Sequence, residues 1–343
     1  MDETALISTA HQLVGAGKGL LAMDESTSTC NKRFAEVGIP QTEEMRRAYR
    51  DMIVTTPDLG DALGGAILFD ETIRQTTLDG IPFAKALTSA GVIPGIKVDA
   101  GAKDLALRPD EKITEGLDGL RERLKEYAAM GARFAKWRAV ITPGDGIPTP
   151  GCIDTNAQAL ARYAALCQET GIVPIVEPEV LMDGAHTLER CREITEQTLA
   201  RVFHHLSAAN VMLEGMILKP NMILPGLDCP VQDSVEKVAA ITVKTFLRTV
   251  PAAVPGIAFL SGGQSGELAT ARLNAMNILA KSAEGKLPWH LVFSFARAIQ
   301  QPALEIWRGS AENVEVAQGA LSHRLRCNKA ALRGEYDAAM ERT

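Results

Sequence analysis

Eight short apolar runs recur along the chain, each separated from the next by enough residues for a helix, and this rhythm constrains the fold more than any single motif. They are Leu20–Asp24, Gly65–Asp70, Ile93–Val98, Phe134–Val140, Pro174–Val180, Gly215–Pro220, Gly256–Gly263 and Leu291–Arg297, bounded by turn residues as buried strands are. Their ends fall near residues 24, 70, 98, 138, 179, 219, 262 and 297, so every interval accommodates one helix. Thr42, followed by Glu43 and Glu44, reads as a helix start with acids well placed on the helix dipole. Asp154 is expected to N-cap a helix in which Ala157, Leu160, Ala161, Ala164 and Ala165 share one face, with Gly171 as its stop. Further helical patterns span roughly 187–209, 232–249, 266–281 and 311–332. No linker or low-complexity segment interrupts them. The expectation is one α/β domain over residues 1–343, a (β/α)8 or TIM barrel with a short tail from about 334. A doubly wound dinucleotide-binding sheet would need GxGxxG after its first strand. Gly15-Ala16-Gly17-Lys18-Gly19 precedes that strand and reads as a loop.

Composition narrows the functional classes. With 46% hydrophobic residues and a net charge of −6, the chain has material for a large core and no basic surface for nucleic acid. No apolar run reaches the ~18 residues of a membrane span. The acidic start Met1-Asp2-Glu3-Thr4 lacks the order of a signal or transit peptide, and the six cysteines form no CxxC pair. A cytoplasmic protein without disulfides or a zinc knuckle is expected.

Strands covered on both faces should be nearly continuous apolar runs, because an unpaired buried ion costs several kcal/mol. Three of these strands carry ions instead. Period-2 alternation puts Lys136 and Arg138 on one face of the fourth strand and Glu177 and Glu179 on one face of the fifth, while Lys219 ends the sixth. In a barrel, these groups converge at the C-terminal mouth, where barrel enzymes keep their active sites. A structural ion network is the alternative. The chemistry that suits the set is imine formation. A lysine amine such as Lys219 becomes nucleophilic when neutral, a second cation such as Lys136 favours that state, and Glu177 can shuttle the protons of carbinolamine dehydration. Two acids side by side, Glu177 and Glu179, can hold different protonation states.

Anion sites are expected at both sides of this centre. Ser261-Gly262-Gly263-Gln264-Ser265 follows the seventh strand, with Arg297 at the end of the eighth, the usual phosphate corner of such barrels. Across the mouth, Asp24-Glu25-Ser26-Thr27-Ser28-Thr29 is rich in hydroxyls and precedes Arg33, while Lys97 ends the third strand. The plainer expectation for the hydroxyl run is an N-cap for a helix starting near Asn31. A substrate with two phosphates flanking a carbonyl would use both ends.

Together these segments resemble the class I (Schiff-base) fructose-bisphosphate aldolase family. The carrying motifs are LLAMDES at 20–26, GAILFDET at 65–72, IPGIKVD at 93–99, GARFAKWR at 131–138, GIVPIVEPE at 171–179, ILKPNM at 217–222, FLSGGQS at 259–265 and FSFARAIQ at 293–300. The resemblance implies that Lys219 is the Schiff-base lysine, Glu177 the acid/base for dehydration and Glu179 its tuning neighbour. It further implies that Asp24 handles the C4 hydroxyl proton, that Lys136 acts near C2 and that Arg138 is a charged partner. Ser261, Gly262, Ala296 and Arg297 match positions for the 1-phosphate, and Ser26, Thr29, Lys97 and Arg33 positions on the 6-phosphate side. It also implies a soluble homotetramer, no cofactor and no metal; the six histidines are scattered, and the adjacent pair His204-His205 reads as helical. Many members carry a mobile tail ending in tyrosine. Here only Asp337 to Thr343 follow Tyr336, so enamine protonation is expected to use another group or to be slower. Three alternatives remain: sedoheptulose 1,7-bisphosphate as substrate, a binding protein on the same barrel, and metal-dependent aldol chemistry.

Overall fold

The computed structural model describes residues 2–281 and 287–342. Eight parallel strands close into a barrel: β1 (Gly19–Ala22), β2 (Leu63–Leu68), β3 (Ile93–Lys97), β4 (Phe134–Ile141), β5 (Val173–Val180), β6 (Ile217–Leu218), β7 (Gly256–Phe259) and β8 (His290–Phe295), with β8 pairing back onto β1. The expected runs are all strands, although β6 shrinks to Ile217 and Leu218, which pair with β5 and β7 before the chain turns at Pro220. Proline has no N–H to give the ladder, so the strand stops there. The tail read from about 334 folds back as a short 3-10 turn at Ala338–Arg342; Thr343 lies outside the described residues.

Two apolar clusters hold the barrel. The larger one fills the layer between the strands and the surrounding helices; the smaller one, Leu20, Ala22, Ile67, Phe134, Val173, Ile175, Ile217, Ala258 and Val292, fills the barrel itself. The helix Glu3–Val14, absent from the sequence expectations, completes the inner cluster with Leu6, Ala10, Leu13 and Val14. Asp2 caps it by accepting from Ala5 N (3.1 Å). It plugs the N-terminal end of the barrel, as the strand starts Gly64 and Gly256 show by lying against Leu13 and Val14. The opposite mouth is thus the one left for chemistry.

Phe134 packs across this inner cluster only because Gly95 has no side chain: a Cβ there would lie 2.3 Å from the Phe134 ring. Gly95→Ala is expected to cost about 1–3 kcal/mol, the usual penalty for overpacking. A Phe134→Leu change in the same chain should recover much of it. Urea midpoints of the two single variants and the double variant check this; additive losses would contradict it.

Helix starts correct two expectations. The helix assigned to an Asp154 cap begins earlier, at Pro150, with Thr149 Oγ1 accepting from Cys152 N (3.2 Å). Proline preset at the first helical position and a threonine cap outweigh the aspartate. Asp154 instead points outward to Arg201 and to His205 Nε2 (2.9 Å). The helix expected near Asn31 begins at Thr27, with Ser26 as its cap. A small antiparallel hairpin, Ala102–Asp104 with Lys112–Thr114, also lies beyond the sequence expectations; Thr114 Oγ1 donates to Arg138 O (2.8 Å) and ties it to β4. Among the described residues no helix is long and apolar enough to cross a membrane.

Candidate active site

Register brings the charged strand positions together. On β4 and β5, Arg138 pairs in register with Glu177 and Val140 with Glu179, while Lys97 at the end of β3 pairs with Lys136. Lys219 follows β6, its N–H donating to Val176 O (2.8 Å), and Asp24 lies two residues past β1. Period-2 alternation then points the side chains of Lys136 and Glu177 inward.

The resulting cluster is almost dry: Lys136 is 4% exposed and Glu177 and Lys219 are each 3% exposed. The Glu177 carboxylate bridges two amines, with Oε1 at 3.2 Å from Lys219 Nζ and Oε2 at 3.2 Å from Lys136 Nζ. Lys136 Nζ also lies 2.7 Å from Asp24 Oδ2. Burial opposes charge on Lys136, but Asp24 and Glu177 outweigh it and hold its pKa above the ordinary lysine value. For Asp24 burial would raise the pKa, yet Lys136 and Lys219 outweigh burial and bring it down to about 2. Asp24 is therefore a carboxylate at any working pH. A chain of Lys219, Glu177, Lys136 and Asp24, shielded from water, can pass protons to and from an atom bonded to Lys219.

Around this centre, Arg138 pairs with Glu179, and Lys97 Nζ sits 2.6 Å from Asp99 Oδ1. Asp99 escaped the sequence reading. It also accepts from Arg138 N (3.3 Å) and Gly101 N (3.1 Å), so it orients both Lys97 and β4. The signal was present: in IPGIKVD, Asp99 is two residues from Lys97 and on its face. Asn221, also missed, accepts from Val180 N (2.9 Å) and so ties the turn after Lys219 to the end of β5.

The expected anion sites follow β7 and β8 on one hand and β1 and β3 on the other; because β1 pairs with β8, the hydroxyl run lies beside the Arg297 strand and not across the barrel from it. Ser261 is buried, Gly262 and Gly263 take positive φ (+58° and +90°), and among the described residues neither glycine amide donates a hydrogen bond. Such exposed amides form an anion-binding concavity. Arg297 starts the next helix, with Ala296 at its N-cap position, and lies beside Gly263. A cleft of about 890 Å³ borders this loop and Arg297 but stops short of Lys219. After β1, Ser26 Oγ meets Thr29 Oγ1 (3.0 Å) and Ser28 Oγ (3.1 Å) at the helix start. Arg33 is placed differently from its neighbours in sequence: it is 6% exposed and engaged by Glu25, with Gln301 Oε1 at 3.1 Å. Glu25 also pairs with buried Arg50 (2.9 Å).

Among the described residues, His323, Cys327 and Glu341 are the one trio of potential metal-ligand atoms lying within 4.8 Å of one another. Glu341 is already paired with Arg324 and accepts from Tyr336 OH (2.8 Å), an arrangement that ties down the C-terminal turn.

Comparison with known proteins bears on the family and the fold. The family model "Fructose-bisphosphate aldolase class-I" matches residues 5–343. A probable fructose-bisphosphate aldolase class 1 of Xanthomonas axonopodis is 56% identical over 337 residues, covering 98% of this chain and 99% of that protein. The cytosolic fructose-bisphosphate aldolase 6 of Arabidopsis thaliana is 50% identical over 331 residues, 96% of this chain and 91% of the other. A crystal structure of fructose-bisphosphate aldolase from Plasmodium falciparum, in complex with TRAP and a small-molecule inhibitor, superposes with a TM-score of 0.95 at 46% identity, covering 98% of this chain and 96% of that one. With its closed barrel and the buried Lys219–Glu177–Lys136–Asp24 chain, this protein belongs to the class I fructose-bisphosphate aldolase family of lyases.

Proposed function

We propose that the chain reversibly cleaves fructose 1,6-bisphosphate through an imine on Lys219. The observation that carries this is the Glu177 carboxylate lying 3.2 Å from both Lys219 Nζ and Lys136 Nζ in a dry site. Neutral Lys219 attacks C2 of the open-chain ketose, giving a carbinolamine. Glu177, which takes up the ammonium proton whose loss leaves Lys219 neutral, gives it to the carbinolamine hydroxyl; water leaves and the iminium forms. As the C3–C4 bond breaks, its electron pair flows toward the iminium nitrogen and Asp24 takes the C4 hydroxyl proton, releasing glyceraldehyde 3-phosphate. The remaining enamine gains a proton at C3 and is hydrolysed to dihydroxyacetone phosphate, freeing Lys219. The iminium is the electron sink, so the scheme asks for no metal and no cofactor. By the family resemblance Glu179 tunes the dehydration step, with Arg138, to which it is paired, as its charged partner.

Ser261, Gly262, Ala296 and Arg297 seat the 1-phosphate in this proposal; Ser26, Thr29 and Lys97 seat the 6-phosphate, with Arg33 acting behind them through Glu25. A homotetramer with one barrel domain per chain is proposed from the family resemblance, and a cytosolic location is supported by the Arabidopsis relative named as cytosolic. The decisive experiment is borohydride reduction with fructose 1,6-bisphosphate in excess EDTA, followed by peptide mass mapping. A stable adduct on Lys219 is expected. Activity without an adduct, or an adduct on another lysine, would overturn the scheme; neither activity nor adduct would favour a binding protein.

A further inference from the structure

Arg272 lies in the helix Gly266–Lys281, which starts directly after the loop that follows β7. It is 3% exposed, and its Nε has no hydrogen-bond partner. Among the described residues it forms no ion pair; Asp233, the acid that acts on it electrostatically, is instead paired with Lys237 at 2.6 Å. Burial pulls its pKa down to about 10 against the pull of Asp233, which still leaves it charged at neutral pH. A buried guanidinium with no counter-charge costs several kcal/mol, so its place in the fold calls for a compensating anion.

Its hydrogen bonds lead to one place. Arg272 Nη1 donates to Gln264 Oε1 (2.8 Å), and Gln264 Nε2 donates in turn to Ser261 O (2.8 Å). Gln264 N donates to the same carbonyl (3.1 Å). Both donors of Gln264 thus withdraw the Ser261 carbonyl, the acceptor that would repel an anion. Among the described residues the amides of Gly262 and Gly263 donate no hydrogen bond. A charged donor on Oε1 polarises the Gln264 amide and strengthens its grip on Ser261 O.

We infer that Arg272 is a positioning residue for the phosphate loop: through Gln264 it fixes the Ser261–Ser265 turn and supplies, from behind it, the charge whose partner is the phosphate of the substrate. The inference rests on the proposal that this loop seats the 1-phosphate. Dihydroxyacetone phosphate carries that end alone, so its KM in the condensation direction is the readout. Arg272→Met is expected to raise that KM about tenfold, with kcat and the KM for glyceraldehyde 3-phosphate held within about twofold. Arg272→Lys, which keeps the charge, should recover most of the loss.

Ser261→Ala, measured alongside, separates the two ideas. If it raises the KM for dihydroxyacetone phosphate while Arg272→Met does not, the role of Arg272 is overturned and the phosphate loop stands. If neither variant moves it, both fall. A rise in both KM values, or a fall in kcat of the same size, would mean a merely structural role and would also overturn the inference. Should Arg272→Met not fold, Arg272→Gln takes its place, since it removes the charge and retains a polar donor.

Discussion

Replacing Lys219 by methionine is expected to abolish cleavage, with a loss of turnover on the order of 10⁴ to 10⁶, the scale on which removal of a covalent nucleophile acts. The side chain is 3% exposed, so methionine, of similar length and apolar, fits the space. What vanishes is the amine that bonds to C2, and with it the iminium that draws the electrons of the breaking bond. No other amine replaces it: Lys136 Nζ is held by Asp24 at 2.7 Å and by Glu177 at 3.2 Å. Lys219→Arg separates chemistry from charge. A guanidinium remains protonated and forms no imine, so activity should vanish equally, yet Glu177 keeps a cationic neighbour. The methionine variant leaves Glu177 Oε1 without its amine and should lose more stability, about 3 kcal/mol, as for a broken buried pair. A coupled assay for glyceraldehyde 3-phosphate and urea midpoints check both parts. Activity above about 1% of wild type in either variant would rule Lys219 out as the nucleophile.

The barrel and the core of the site were legible because both write periodic signals into the sequence. Strand alternation placed Lys136 and Arg138 on one face and Glu177 and Glu179 on another, the barrel expectation turned those faces inward, and the register of β4 with β5 brings them together. What stayed hidden depends on contacts between distant segments. The helix Glu3–Val14 has an ordinary amphipathic pattern, and nothing local says that Leu6, Ala10, Leu13 and Val14 close the bottom of a barrel. Arg33 reads like any basic residue beside a hydroxyl run, but its burial against Glu25 follows from the packing of its helix against Gln300 and Gln301. Arg272 sits eight positions after Gln264, beyond one helical neighbour spacing, so its link to the loop emerges only when the helix folds back under it. The Asp154 cap failed for a different reason: two capping signals stood five residues apart, and Thr149 followed by Pro150 was the stronger.

Asp24→Asn is expected to lower kcat about 10³-fold, within the range for losing a positioned proton acceptor, while KM changes little. Asparagine keeps the shape and a neighbouring acceptor for Lys136 but takes no proton from the C4 hydroxyl. Because Lys136 and Lys219 overcome burial and bring the Asp24 pKa to about 2, the carboxylate is ionised over the whole working range. The acid limb of the wild-type rate profile therefore belongs to another group, and it should keep its position in the variant while the rate falls at every pH. The same shift has a consequence for stability. The folded pKa lies below the unfolded value of about 3.9, so the ionised form stabilises the fold at pH above about 4, and this contribution fades as pH drops through about 2. A carboxyl brought from about 3.9 to about 2 contributes about 2–3 kcal/mol. Unfolding free energies of wild type and Asp24→Asn should accordingly converge by that amount between pH 5 and pH 2. Parallel curves would show that Asp24 is not the strongly ionised partner of Lys136, and with that the proton path from the C4 hydroxyl to Asp24 would lose its support.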